Sequence, residues 1–155
     1  MPFHTLPVLY VDNKPLAQSH AIARYLARQF GINGKTPWQE AQVNSLADQF
    51  KEYQHQVHPY FMAKNGIHPG DAQTLYKEVF LPNFEKNYQF FTNFLNESGS
   101  DYLVGDSLTW VDLLIAQNTT DIASNTLAKF PEMEEHRKRI HTIPRVKRWI
   151  EKGVI

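Results

Sequence analysis

A chain of 155 residues with sixteen basic against sixteen acidic side chains carries no net field to draw in nucleic acid or an anionic lipid surface. Hydrophobic residues at 42% supply a packed core, while the absence of cysteine excludes disulfides, thiolate metal sites and cysteine nucleophiles together. With no apolar run near the roughly 18 residues of a membrane span and no basic-then-apolar leader, a soluble cytoplasmic protein is expected.

Residues 6–17, LPVLYVDNKPLA, are two short β-type runs around Asp12-Asn13 and predict a hairpin with a tight turn. Lys14-Pro15 keeps the second strand short or at an edge. The stretch LAQSHAIARYLARQFG predicts a helix from His20 to Phe30. Ile22, Leu26 and Phe30 recur every fourth residue, Ala23 and Tyr25 widen the stripe, and one face is expected to be apolar and buried. Ser19 stands where an N-cap belongs and Gly31 where a helix stops. GINGKTPW, rich in glycine and proline, marks a linker.

Everything beyond the linker reads as helical. Val43, Leu46, Ala47, Phe50, Tyr53 and Val57 form a sustained stripe over 40–62, ending or bending near His58-Pro59. Leu75, Val79, Phe80, Phe84, Tyr88, Phe91 and Leu95 form a second over 72–97, with Pro82 as a kink. NESGSDYLVGDSLTW reads as loop. Thr109 then caps a third helix, with Asp112 closing a capping box and Leu108 and Leu113 forming a hydrophobic staple. That helix, WVDLLIAQNTTDIAS, is apolar enough to be the buried centre, and two shorter helices follow around 131–139 and 144–152.

A two-stranded hairpin is marginal without a third strand or a covering layer, so something is expected ahead of it or from another chain. If Met1 is the true start, the hairpin's open edge at residues 6–11 predicts poor solubility or partner capture.

Gln18 and Ser19 set an amide and a hydroxyl beside the free N–H groups of a helix entrance, which suit a carboxylate. Taken singly, Ser19 is equally a ligand-free cap, Gln18 a solvated turn residue, Leu6-Pro7 an edge-strand start, and Asp48 a solvated position partnered by Lys51. His55 and His58 have metal-ligand spacing but no evident third ligand, and no metal is expected. In EEHRKRIH and RVKRW, the pairs Glu134–Lys138 and Glu135–Arg139 predict a solvated face rather than a phosphate site, and no nucleic-acid partner is expected. Asp106, Ser107 and Asp112 make no hydrolase triad, because no histidine lies at a recognised offset.

LPVL leading into the hairpin, QSHAIARYLA, the Gly-rich linker and GDSLTWVDLLIA together resemble the cytosolic glutathione transferases along the whole chain. The similarity is greatest to the sigma class, with its nematode detoxification enzymes and haematopoietic prostaglandin D synthase. It implies an α+β fold: a partial thioredoxin-like ββα unit over 1–31, a linker over 32–38 and an all-helical C-terminal domain over 39–155. Family members precede this with a βαβ unit of roughly 30 residues or more, which this chain is expected to lack.

The resemblance implies glutathione as co-substrate and a hydrophobic electrophile as acceptor. Gln18 and Ser19 then hold the γ-glutamyl end. Pro7 matches a cis-proline that turns the backbone of Leu6 toward the cysteinyl part, and Asp48 reaches across a homodimer to the amino group. The implied activity is conjugation, or isomerisation of the prostaglandin-synthase kind. The family's thiol-activating tyrosine belongs to the first strand of the absent unit, so no catalytic residue is assigned and Tyr10 has no claim to the role. His4 and Thr5 depart from the family's Gly followed by Gln or Asn, and Phe3 falls at the aromatic key of some classes. Tyr60, Phe61 and Met62 border the electrophile pocket or the core. The alternative is a non-catalytic transferase-like domain for dimerisation or binding, as in lens crystallins and translation-factor subunits.

Overall fold

The computed structural model describes residues 2–153. After a 3-10 turn, Pro2–His4, strands β1 (Val8–Val11) and β2 (Lys14–Ala17) pair antiparallel. The helices are α1 (Ser19–Phe30), α2 (Pro37–Lys64), α3 (Ala72–Leu75), α4 (Leu81–Ser98), α5 (Trp110–Thr120), α6 (Ser124–Leu127), α7 (Pro131–Thr142) and α8 (Pro144–Glu151). A π-helical turn, Tyr76–Phe80, joins α3 to α4. The order is the expected α+β one, a ββα unit ahead of a helical bundle, with the 3-10 turn, the π turn and α6 added to it. No helix among the described residues is long and apolar enough to cross a membrane.

Asp12 and Asn13, at φ 48° and 64°, supply the two left-handed residues of a two-residue hairpin turn. The turn sets Val8 opposite Ala17 and Val11 opposite Lys14. Among the described residues the sheet has these two strands alone, and Leu6 and Tyr10 stay exposed.

Helix α1 corrects two expectations. It starts at Ser19, so Gln18 rather than Ser19 is the N-cap, and the Gln18 carbonyl accepts the first helical bond from the Ile22 N–H at 2.9 Å. The stripe of Ile22, Leu26 and Phe30 is not the buried face: the first two are half-buried and Phe30 is 74% exposed. The face that meets α5 carries His20, Ala23 and Ala27, where small side chains allow close approach and two short strands offer too little area to bury the other stripe. The C-terminus ends as expected. Gly31 is left-handed at φ 68°, its N–H reaches the Arg28 carbonyl, and the Ile32 N–H reaches that of Ala27.

In the linker, Gly34 at φ 102° folds the chain onto the first turn of α2, where a Cβ would lie 2.9 Å from the Glu40 nitrogen. Thr36 caps α2 by accepting from the Gln39 N–H at 3.1 Å. Helix α2 neither ends nor breaks at Pro59 but continues to Lys64. The proline forfeits one bond to the His55 carbonyl, and packing of the Tyr60 and Phe61 rings on Phe80, with centroids 4.8 and 5.8 Å away, holds the final turn. These two side chains therefore pack against the core.

The π turn lies just ahead of Pro82, in place of a simple kink. Widening the turn by one residue accommodates the missing proline donor without breaking the rod. It also aligns Tyr76, Phe80, Phe84 and Tyr88 in one aromatic column, with successive centroids 5.4, 5.6 and 4.2 Å apart. Against this column pack the fully buried α2 stripe, Val111 and Ile115 of α5, and Met133 of α7.

The start of α5 locks the bundle. Asp112, fully buried, takes the Thr109 N–H and hydroxyl on one carboxylate oxygen, each at 2.7 Å. Its other oxygen accepts from the Leu103 N–H at 2.8 Å and from His136 Nε2 at 3.0 Å. The histidine that partners Asp112 comes from no sequence offset: α7 folds back over α5 and brings His136 from 24 positions away. The cluster is no hydrolytic site: Asp112 and His136 have no exposed surface and Thr109 has 1%. Elsewhere on α7, Glu135 pairs with Lys138 at 2.8 Å while Arg139 reaches Asp101 at 3.2 Å, so the expected Glu135–Arg139 pair is replaced. Asp112→Ala is expected to lower the unfolding free energy by about 3 kcal/mol, since it strands four buried donors, as read from urea denaturation midpoints.

Candidate functional site

The ladder ends at the Val8–Ala17 pair, so Leu6-Pro7 enters and Gln18-Ser19 leaves the hairpin at the same end. Four of the five residues singled out in the sequence therefore flank that one end of the hairpin, where α1 begins. The Leu6-Pro7 peptide bond is cis, as expected, and Leu6 is 79% exposed.

Gln18 has φ 75° and ψ 114°, a conformation that a side-chain-bearing residue rarely adopts. Backbone of this kind costs about 1–3 kcal/mol and clusters at ligand sites. No side chain caps α1, and its first turn holds no acidic residue. The N–H groups of Ser19, His20 and Ala21 precede the first helical bond, so three donors at the positive end of a 12-residue helix have no helical acceptor. Exposed Gln18 and Ser19 flank them. The arrangement suits a carboxylate beside a short extended peptide.

Asp48 lies apart from this cluster. It sits on α2 and accepts a hydrogen bond from Arg24 Nη2 of α1, so its partner is Arg24 rather than Lys51. Arg24 stands about 7.5 Å along the helix from Ser19, at 1.5 Å per residue. Its Nε donates to Asn44 Oδ1 at 2.9 Å, and its guanidinium lies 5.8 Å from the centre of the Trp110 ring. Phe3 is exposed, as are His4, His55 and His58.

Beneath α1 runs an apolar groove of about 620 Å³, walled by Ala23, Leu26 and Phe30, by Leu113 of α5, and by Val146 and Trp149 of α8. His20 of α1 and His141 of α7 also line it. His20 meets the Trp110 ring edge-on at 5.8 Å, and its Nδ1 is enclosed without a hydrogen-bond partner. Burial lowers the pKa of His20, helped by the charges of Arg24 and Lys51 and opposed by Asp48. His141 is lowered too, by burial first and then by Arg137.

Sequence reasoning missed His20, Arg24 and Trp110 as the residues that fix α1. The available signal was the spacing of His20, Ala23, Arg24 and Ala27, a second helical face that mixes small and polar side chains.

Residues 52–153 match the family described as "Glutathione S-transferase, C-terminal domain". The chain is 60% identical over 153 residues to a Caenorhabditis elegans protein named probable glutathione S-transferase 7, covering 97% of this chain and 74% of that one. A crystal structure described as a major nematode-specific glutathione transferase of C. elegans superposes with a TM-score of 0.94 at 58% identity, covering 97% of this chain and 73% of that one. A transferase from the hookworm Necator americanus, described as monomeric, gives 0.95 at 46% identity, covering 98% and 76%.

Both groove histidines have folded-state pKa values below the ordinary 6.5. Their contribution to stability is therefore complete above the unfolded value and is lost as pH falls through the lower folded values. The urea midpoint is expected to drop as pH is lowered below 6.5, and to drop less in His20→Gln.

Proposed function

The chain belongs to the glutathione S-transferase family, and from that premise we propose that it uses the hairpin end and the α1 entrance to hold glutathione for transfer to hydrophobic electrophiles, in the manner of the sigma class. The observation that carries the reading is the uncapped N-terminus of α1, which opens at the end of the hairpin that Leu6, Pro7, Gln18 and Ser19 flank.

The γ-glutamyl carboxylate meets the free N–H groups of α1, where each bond is charge-assisted. The Ser19 hydroxyl donates to the same carboxylate and the Gln18 amide brackets it. The backbone N–H and C=O of Leu6 pair with the cysteinyl residue as an added strand would. Asp48 of a second copy takes the amino group, which makes the working unit a homodimer with two shared sites. Bound in this way, the cysteine sulfur is fixed relative to the hairpin. A hydroxyl donor is what the chemistry still requires, since it stabilises the thiolate and lowers its pKa. The family places that donor on a strand ahead of the hairpin, and none of this chain's residues is assigned to it.

Calorimetric titration of glutathione tests the reading. The wild-type chain is expected to bind, and Gln18→Ala to bind at least about tenfold more weakly, since it removes a hydrogen bond to a charged group. A folded chain without affinity for glutathione would move the assignment to the non-catalytic alternative. Sedimentation of the same sample checks the assembly: a dimer is expected, whereas a monomer would remove Asp48 from the site.

A further inference from the structure

Asp48 is not a free carboxylate. One oxygen is held by Arg24, and no hydrogen bond to the other, Oδ2, occurs among the described residues, although the side chain is 64% exposed. Arg24 itself has little freedom. Its Nε is committed to Asn44, and its guanidinium is braced by the ring of Trp110, so three helices fix one fork of donors. One turn further along α1, Arg28 pairs with Glu40 at 2.6 Å and ties α1 to α2 independently. Removing Arg24 therefore leaves a second contact between the two helices in place, and the exposed Arg24–Asp48 pair itself adds little to stability.

We propose that Arg24 is a positioning residue that fixes Asp48 with Oδ2 turned outward, so that the carboxylate recognises the α-ammonium of glutathione bound to a second copy. The inference rests on the glutathione reading above. An exposed aspartate without this clamp samples several rotamers and must be ordered when the ligand arrives, which weakens binding. With the clamp, the carboxylate bridges two cations, one permanent and one brought by the ligand. The recognition is specific to the amino group, because the carboxylate and cysteinyl contacts lie elsewhere, at the hairpin end.

The test is calorimetric titration of two probes, glutathione and glutaryl-cysteinylglycine, which lacks only the α-amino group. Wild type, Arg24→Ala, Arg24→Lys, Asp48→Asn and the Arg24→Ala/Asp48→Asn double variant are compared, with helicity checked by circular dichroism. Arg24→Ala is expected to weaken glutathione about fivefold, to leave the amine-free probe unchanged and to add nothing once Asp48 is Asn. Arg24→Lys, which keeps the charge but cannot reach Asn44 and Asp48 together, is expected to recover only part of the loss. If the alanine variant does not fold, the lysine variant carries the same comparison of probes. Unchanged or tighter glutathione binding, equal weakening of both probes, or additive losses in the double variant would overturn the role of Arg24 alone. Failure of the wild-type chain to bind glutathione would overturn the underlying reading, and this role with it.

Discussion

The carboxylate of Asp112 is the point from which the rest of the molecule is hung. It ends the loop before α5 through Leu103, starts α5 through Thr109, and fastens α7 through His136, all without contact with water. A buried charge is tolerable only when its lone pairs are satisfied, and here four donors converge on two oxygens. The arrangement holds only if α5 and α7 lie in one relative position, so a local cap also specifies tertiary structure.

Two residues earlier the same turn faces the other way. The Trp110 N–H donates to the Ile32 carbonyl at 2.9 Å, which ties the start of α5 to the linker. The Trp110 ring braces both His20 and Arg24 of α1. The helix whose N-terminus forms the candidate site is thus positioned from the bundle side, while the two-stranded hairpin contributes its register. This division explains why α1 buries its alanine face and leaves Phe30 outside. The apolar groove lies between this helix and the bundle, where α1 faces α5 and α8.

The site and its supports differ in how they treat polar groups. At the hairpin end, the first N–H groups of α1 have neither a helical acceptor nor a side-chain cap, and Gln18 is held in an unfavourable backbone conformation. Along α1 and α2 the polar groups are paired with one another: Arg24 with Asn44 and Asp48, and Arg28 with Glu40. Open donors invite a carboxylate, and paired charges orient whatever approaches them.

Local patterns in the sequence determined the hairpin turn at Asp12-Asn13, the Gly31 stop, the capping box at Thr109 and Asp112, and the buried stripes of α2 and α4. Each depends on residues within a turn or two of one another, where backbone preference and hydrophobic spacing act directly. Motif spacing likewise singled out Leu6, Pro7, Gln18 and Ser19, which flank the end of the hairpin nearest α1. What the sequence could not decide were choices made between elements distant along the chain. Tertiary packing set which face of α1 is buried, whether Pro59 ends a helix, where His136 and Arg24 find their partners, and how Pro82 is absorbed by a π turn. In each case two local outcomes lay close in energy, and contacts from elsewhere in the fold selected one.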